Sequence, residues 1–275
     1  MKLSFSRKRW FFFTLLAVLI LWSYRGTKID LQALLGAEGR KQIVYFITQL
    51  FPPDLSTDLL IKSLRGAGET LAVSFMGTLF AALLAFPFAI LSSRAFWFSD
   101  LFQTRNDQHP LTRSWRLFVY GGATLFLNLL RSIPEIFWAL IFILAVGLGP
   151  FPGVLSLAAH NGGVLGKLYS EVLEELPWEP IEALQSTGAH RATLLLYGML
   201  PQAFAQLLSY TLYRWEVNIR AATIIGMVGA GGIGREVYLA ISLFHYHDLL
   251  TLLIITLLMV TLVDLLSGFL RSRLT

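Results

Sequence analysis

The chain contains no cysteine. Disulfides, thiolate metal centres and cysteine nucleophiles are therefore excluded. Charge is also scarce. Asp, Glu, Lys and Arg make up 14% of the 275 residues, against about 25% in a soluble domain. No stretch carries a dense basic stripe, so the net charge of +5 does not point to nucleic acid; loop Lys and Arg facing the cytoplasm of a membrane protein account for it better. No strand–helix alternation, low-complexity tract or long repeat is visible.

What is present is mostly apolar: 55% of residues are hydrophobic, and the mean hydropathy is +0.63. Apolar runs fall at 10–24, 68–91, 133–149, 152–170, 203–226 and 249–270. A bilayer span needs about 20 such residues. The pattern predicts an all-α polytopic transmembrane helical bundle of about six spans, embedded in the lipid bilayer. The first run follows Arg7, Lys8 and Arg9 and ends in SYRGTKID, which has no small-x-small cleavage site. It reads as an uncleaved, short first span. Residues 119–130 read as an interfacial elbow ahead of the third span. Pro52-Pro53-Asp54 break any helix there.

Orientation follows from the basic residues. Lys2, Arg7, Lys8, Arg9, Arg94, Arg105, Arg113, Arg116, Arg191, Arg271 and Arg273 share one side if both termini are cytoplasmic. Segment 25–67 holds Arg25, Lys28, Arg40, Lys41, Lys62 and Arg65, offset by Asp30, Glu38, Asp54 and Asp58. The bias favours both ends inside. The expected organisation is a cytoplasmic tail and anchor (1–30), an extracytoplasmic amphipathic segment (31–66) and a transmembrane domain (67–275).

Residues 175–203, ELPWEPIEALQSTGAHRATLLLYGMLPQA, are too polar to span. Pro177 and Pro180 suit a helix start, and Glu182 near that start is favoured by the helix dipole. Gly188 interrupts the pattern, and Leu200-Pro201 closes it. Elementary chemistry stops at a cytoplasmic helix, a turn, a second helix and a proline. An ordinary amphipathic loop satisfies the same description.

This stretch resembles the EAA loop of ABC importer permeases: Glu-Ala-Ala, three residues, Gly, nine residues, then Ile-x-Leu-Pro. Glu182, Ala183, Gly188, Leu200 and Pro201 match; Leu184 stands for the second Ala and Gly198 for the Ile. RSIPEIFWALIFILAVGLGPFPGVLSLAAHNGGVLGKLYSE (131–171), SYTLYRWEVNIRAATIIGMVGAGGIG (209–234) and ETLAVSFMGTLFAALLAFPFAILSSR (69–94) resemble phosphonate ABC transporter permeases. The likeness covers about 69–270. It implies a MetI-like permease core with an extra N-terminal span, in the cell inner membrane. It implies that the 175–203 loop couples to an ATPase dimer, which carries ATP and Mg, while this chain binds no cofactor. It also implies a substrate-binding protein outside and a second permease copy, identical or paralogous. The implied cargo is a phosphonate; related permeases serve phosphite or hypophosphite.

Arg214, Glu216, Asn218 and Arg220 interrupt the fifth run. Counted from 203 at 1.5 Å per residue, Arg214 lies near mid-bilayer, where an ionisable group costs at least about 2.5 kcal/mol. Two readings stay open. The arginines line a route for an anion, or one of them pairs with Glu216 and clips helices together. Arg131, at a span start, reads as snorkelling to the interface.

Gly229, Gly231, Gly232 and Gly234 lie in a GxGxxG string, but no strand precedes it, so a tight turn or close helix packing is expected. Gly166-Lys167-Leu168 fails the phosphate-loop pattern, because Asn161 and Leu168 stand where Gly and Ser or Thr are required. His245, His247 and Asp248 resemble metal ligands only loosely, since His residues two apart diverge on a helix. No metal site and no catalytic residue are assigned, and His109, His160 and His190 receive no role. A membrane-embedded enzyme would need a catalytic cluster within the spans. A passive channel would not need the EAA-like loop.

Overall fold

The computed structural model describes residues 3–27, 29–98 and 110–274. Lys2, Lys28, Arg105 and His109 lie outside them. Among the described residues every regular element is helical. The chain divides into two units, Met1–Pro52 and Pro53–Thr275.

The first unit holds α1 (Leu3–Thr27), α2 (Leu31–Leu35) and α3 (Ala37–Leu50). Within α1, Arg9–Thr27 is long and apolar enough to cross a membrane. Its large side chains are exposed on every side, from Trp10 to Trp22, which suits lipid rather than a protein core. The two tryptophans are also the residue type that favours membrane interfaces. The Asp30 carboxylate caps α2, accepting from the backbone N–H of Gln32 (2.9 Å) and Ala33 (3.1 Å).

The second unit is the bundle. It comprises α4 (Thr57–Leu91), α5 (Arg94–Phe98), α6 (Pro110–Ser132), α7 (Glu135–Val146), α8 (Pro150–Glu174), α9 (Glu179–Ser186), α10 (Arg191–Thr193), α11 (Leu200–Ile225), α12 (Gly232–Ser242) and α13 (Tyr246–Arg271). The closest pairing is α4 against α8, and small residues explain it. Gly77, Ala81, Ala85 and Ala89 recur every fourth residue on α4, and all are buried. A β-carbon on Gly77 would lie 2.7 Å from Leu157 Cβ, and one on Gly162 would lie 2.7 Å from Leu84 Cδ2. Between membrane helices lipid removes the hydrophobic drive, so close backbone approach through small residues supplies the van der Waals energy. The large side chains of α4, including Phe75, Leu79, Phe80, Leu83 and Phe86, point outward and are exposed.

Thr57–Phe98 and Tyr246–Arg271 are long and apolar enough to cross a membrane. The expected span at 133–149 is corrected. The helix there, α7, has only 12 residues, about 18 Å, short of the ~30 Å hydrocarbon core. It forms a bent pair with α6, the two axes meeting at 91°. The elbow expected at 119–130 is straight helix, and the bend comes later, at Ser132-Ile133-Pro134. Pro134 has no N–H and would clash with the preceding turn. Two carbonyls at the break find side-chain donors: Leu130 O accepts from Trp138 Nε1 (3.1 Å) and Ile133 O from His160 Nδ1 (2.8 Å); Ser132 Oγ donates to Asn128 O, one turn back, at 2.6 Å.

At 152–170 the structure has a continuous helix, α8, of 25 residues. It is long enough to cross but less apolar than a lipid-facing span. Ser156, Asn161, Gly162, Gly163, Gly166 and Ser170 lie buried along it, because neighbouring helices, not lipid, surround it. The fifth run also differs from expectation. Helix begins at Arg191 and passes through a π-helical stretch, Leu194–Met199, straight into α11. Leu200-Pro201 therefore does not close the segment. The wider π turn absorbs the hydrogen bond that Pro201 cannot donate.

Candidate functional site

Two regions carry the candidate residues. The first is the 175–203 loop. Pro180 sits in the first turn of α9, with Glu179 and Glu182 beside it. Ile181 is fully buried; Glu182 and Ala183, one and two residues on, are exposed. The burial is specific. Ile181 belongs to a cluster with Leu165, Tyr169, Val172, Leu173 and Leu176 of α8 and the following turn, and with Leu194, Met199 and Ala203. One face of α9 thus packs into the apolar cluster at the ends of α8 and α11, while the other is exposed. The helix ends where Gly188 adopts φ +82°, a left-handed backbone that costs a non-glycine residue about 1–2 kcal/mol. Its N–H donates to Gln185 O at 2.8 Å, in the manner of a helix C-cap. Leu200 and Pro201 stand at the start of α11.

The second region is the polar interior around α11. Arg214 donates through Nε (2.9 Å) and Nη2 to Asn161 Oδ1 on α8. Asn161 is 1% exposed. Arg220 is exposed and grips both oxygens of Asp264 on α13, at 2.9 and 2.8 Å. Glu216 accepts from Arg271 at 2.6 Å and lies 3.6 Å from Arg220. Arg214 therefore does not share Glu216. Residues two apart on a helix point away from each other, whereas 216 and 220 share a face. Asn218 is buried and donates through Nδ2 to Thr78 Oγ1 of α4 at 2.7 Å. Arg131 is exposed and donates to Asn128 Oδ1 at 3.0 Å. His160 donates through Nδ1 to the Ile133 carbonyl at 2.8 Å, and its Nε2 lies 3.6 Å from Glu135 Oε2.

The glycine string makes a turn. Gly229, Gly231 and Gly232 have φ of +117°, +77° and +70°, and the helix axis bends by 60° between Ala230 and Gly232. Gly232 N–H donates to Glu69 Oε2 (3.1 Å) and Ile233 N–H to Thr70 Oγ1 (2.9 Å). These α4 side chains thus fill the start of α12. A cavity of about 650 Å³ opens beside the turn, lined in part by Glu69, Leu148, Pro150, Arg235 and Tyr238. His245 Nδ1 lies 3.4 Å from Asp248, and among the described residues no three His, Asp or Glu side chains converge as metal ligands.

Sequence reasoning missed Asn161, Asp264 and Arg271 as the partners on which α11 closes. Asp264 left a signal: it is an isolated acid late in the last apolar run, and a charge there calls for a partner. Asn161 left none, being an amide in a helix of small residues.

A family model described as binding-protein-dependent transport system inner membrane component matches residues 111–275. The chain is 38% identical over 238 residues to a putative phosphite transport system permease protein, HtxC, of Stutzerimonas stutzeri, with 86% of this chain and 77% of the relative covered. It is 45% identical over 120 residues to a putative cryptic phosphonate transport system permease protein of Escherichia coli K12, with 44% of this chain and 98% of the relative covered. Its fold is similar to that of a chain of the MetNI methionine ABC transporter in an inward-facing conformation. The TM-score is 0.66 at 21% identity, covering 80% of this chain and 100% of that one.

Proposed function

The chain belongs to the family of binding-protein-dependent transport system inner membrane components, and from that premise we propose that it is the membrane-spanning permease subunit of an ABC importer for a small phosphorus oxyanion, a phosphonate or phosphite. Relatives named for phosphite and phosphonate transport support this cargo class. ATP and Mg are bound by a separate ATPase dimer. A binding protein delivers cargo from outside, and two permease copies, identical or paralogous, enclose the route. Both termini lie in the cytoplasm, on the same side as the 175–203 loop.

The observation that carries the coupling role is the two-faced packing of α9. Ile181 is 0% exposed within the cluster formed with α8 and α11, while Glu182 and Ala183 face outward. A partner that pushes on the outer face moves two long helices at once. Elements of such a lever are discrete and rigid rather than compliant.

The test is uptake in proteoliposomes holding this chain and its ATPase, with binding protein added outside. Methylphosphonate, phosphite and phosphate are compared with and without ATP. ATP-dependent uptake of methylphosphonate or phosphite supports the reading. Uptake of phosphate alone moves the cargo, and uptake indifferent to ATP contradicts the importer itself.

A further inference from the structure

We propose that Arg214, oriented by Asn161 beside the break between α6 and α7, is the cation that the anionic cargo meets inside the membrane. The proposal deepens the importer reading above and rests on it.

The charges along α11 separate into two kinds. Arg220, Glu216, Arg271 and Asp264 form a chain of alternating sign whose contacts are 2.6 to 3.6 Å long. Its charges cancel, and it ties α11 to α13. Those residues have structural work that a passing anion would disrupt. Arg214 differs. Its partner is a neutral amide, and among the described residues no carboxylate lies within ion-pair distance of it. A charge in a span without an ion-pair partner costs at least about 2.5 kcal/mol, and such charges tend to face a bundle interior or a water-filled path.

Asn161 is built to hold that guanidinium. Its Nδ2 donates to Leu157 O at 3.0 Å, which fixes the amide so that Oδ1 faces Arg214. Both contacts of Arg214 converge on this one oxygen. Only two of the five guanidinium donors are engaged, and the rest remain for a ligand. Arg214 is partly exposed, so a ligand has access. A tetrahedral oxyanion matches the planar fork of a guanidinium with two parallel hydrogen bonds.

The surroundings agree. His160, next to Asn161, holds the Ile133 carbonyl and stands 3.6 Å from Glu135. Non-helical backbone at membrane depth is tolerated only inside protein or along a water-filled cavity. The break therefore brings polar backbone and side chains to the same turn of α8 that positions Arg214. No other cation on α11 combines partial exposure with a purely neutral partner.

The test uses the complex of this chain with its ATPase and binding protein in proteoliposomes, with methylphosphonate and phosphite as probes. Two readouts are taken together, ATP-dependent uptake and the ATP hydrolysis stimulated by loaded binding protein. Arg214→Gln should lower uptake by about tenfold or more, the scale of one charge-assisted hydrogen bond, with stimulated hydrolysis retained. Arg214→Lys should fall between. Asn161→Asp keeps the acceptor for Arg214, gives up the donor to Leu157 O and cancels the charge, and should lower uptake as Arg214→Gln does with stimulated hydrolysis retained; it decides the matter if Arg214→Gln fails to accumulate. Wild-type uptake in Asn161→Asp or Arg214→Gln overturns the proposal and leaves the importer reading intact. So does a parallel loss of uptake and hydrolysis in both variants, which marks a structural role. If the wild-type complex moves neither probe, the cargo reading fails and this proposal with it.

Discussion

Leu184 and Gly198 face each other across the 175–203 loop: a β-carbon on Gly198 would stand 3.7 Å from Leu184 Cδ2 and 3.5 Å from Ile181 Cγ1. These are the two positions at which the chain departs from the EAA pattern. One side chain is larger than the pattern asks and the other smaller, and the structure packs them together. The departures are one volume exchange. Gly198→Ile alone should overpack the anchor of α9 and destabilise it by about 1–3 kcal/mol. Adding Leu184→Ala should recover most of the loss, with the coupling energy read from a double-mutant thermal-unfolding cycle in detergent. Additive losses would mean that the two sites do not share space.

Gly188→Ala should cost about 1–2 kcal/mol locally, because φ is +82° there. Nothing stands within 4 Å of the added carbon, so strain rather than a clash sets the effect. Hydrogen exchange across 179–190 should speed up while the buried helices stay protected.

Gly163→Ala and Gly68→Ala form a matched pair. A β-carbon on Gly163 would come within 2.6 Å of Arg131 N and Leu127 O, both backbone atoms that cannot rotate away. Gly68 has open space within helix α4, where Ala is favoured by up to about 1 kcal/mol. The first substitution should lower the melting temperature of the detergent-purified chain; the second should leave it level or raise it.

Asp264→Asn should destabilise the bundle by leaving Arg220 with Glu216 as its one remaining acidic partner. The size depends on what covers this half-exposed pair: up to about 1 kcal/mol in water, and more if lipid or a second chain excludes water. Arg220→Gln with Asp264→Asn should restore much of the melting temperature. No recovery in the double variant would show that each residue acts separately.

Legibility in the sequence divided along a physical line. Apolar length made α1, the apolar part of α4 and α13 readable, because lipid exposure demands it along the whole helix. Helices wrapped by others obey a weaker rule. α8 tolerates Asn161 and four glycines, so its apolar signal fades. The α6–α7 region misled because Arg113 and Arg116 dilute the start of α6, while Pro134 cuts the apolar run where a span was expected. The helix start at Pro180 and the turn at Gly188 were readable from the residues, whereas only the resemblance to the EAA pattern set this loop apart from an ordinary amphipathic one. The pairing of Arg220 with Glu216, four residues away, was also readable; Asn161 as partner of Arg214 and Asp264 as second partner of Arg220 were not, since they lie 53 and 44 residues away and only the fold brings them in.

In the proposed importer the outer face of α9, with Glu182 and Ala183 exposed on it, meets the ATPase. The chain has no cysteine of its own, so Ala183→Cys introduces a single addressable thiol on that face. A short thiol–amine crosslinker applied to the assembled complex should join this chain to the ATPase through residue 183. Leu243→Cys, exposed in the loop before α13, should not crosslink to it. A crosslink from 243, or none from 183 while maleimide still labels that thiol in the complex, would contradict the account.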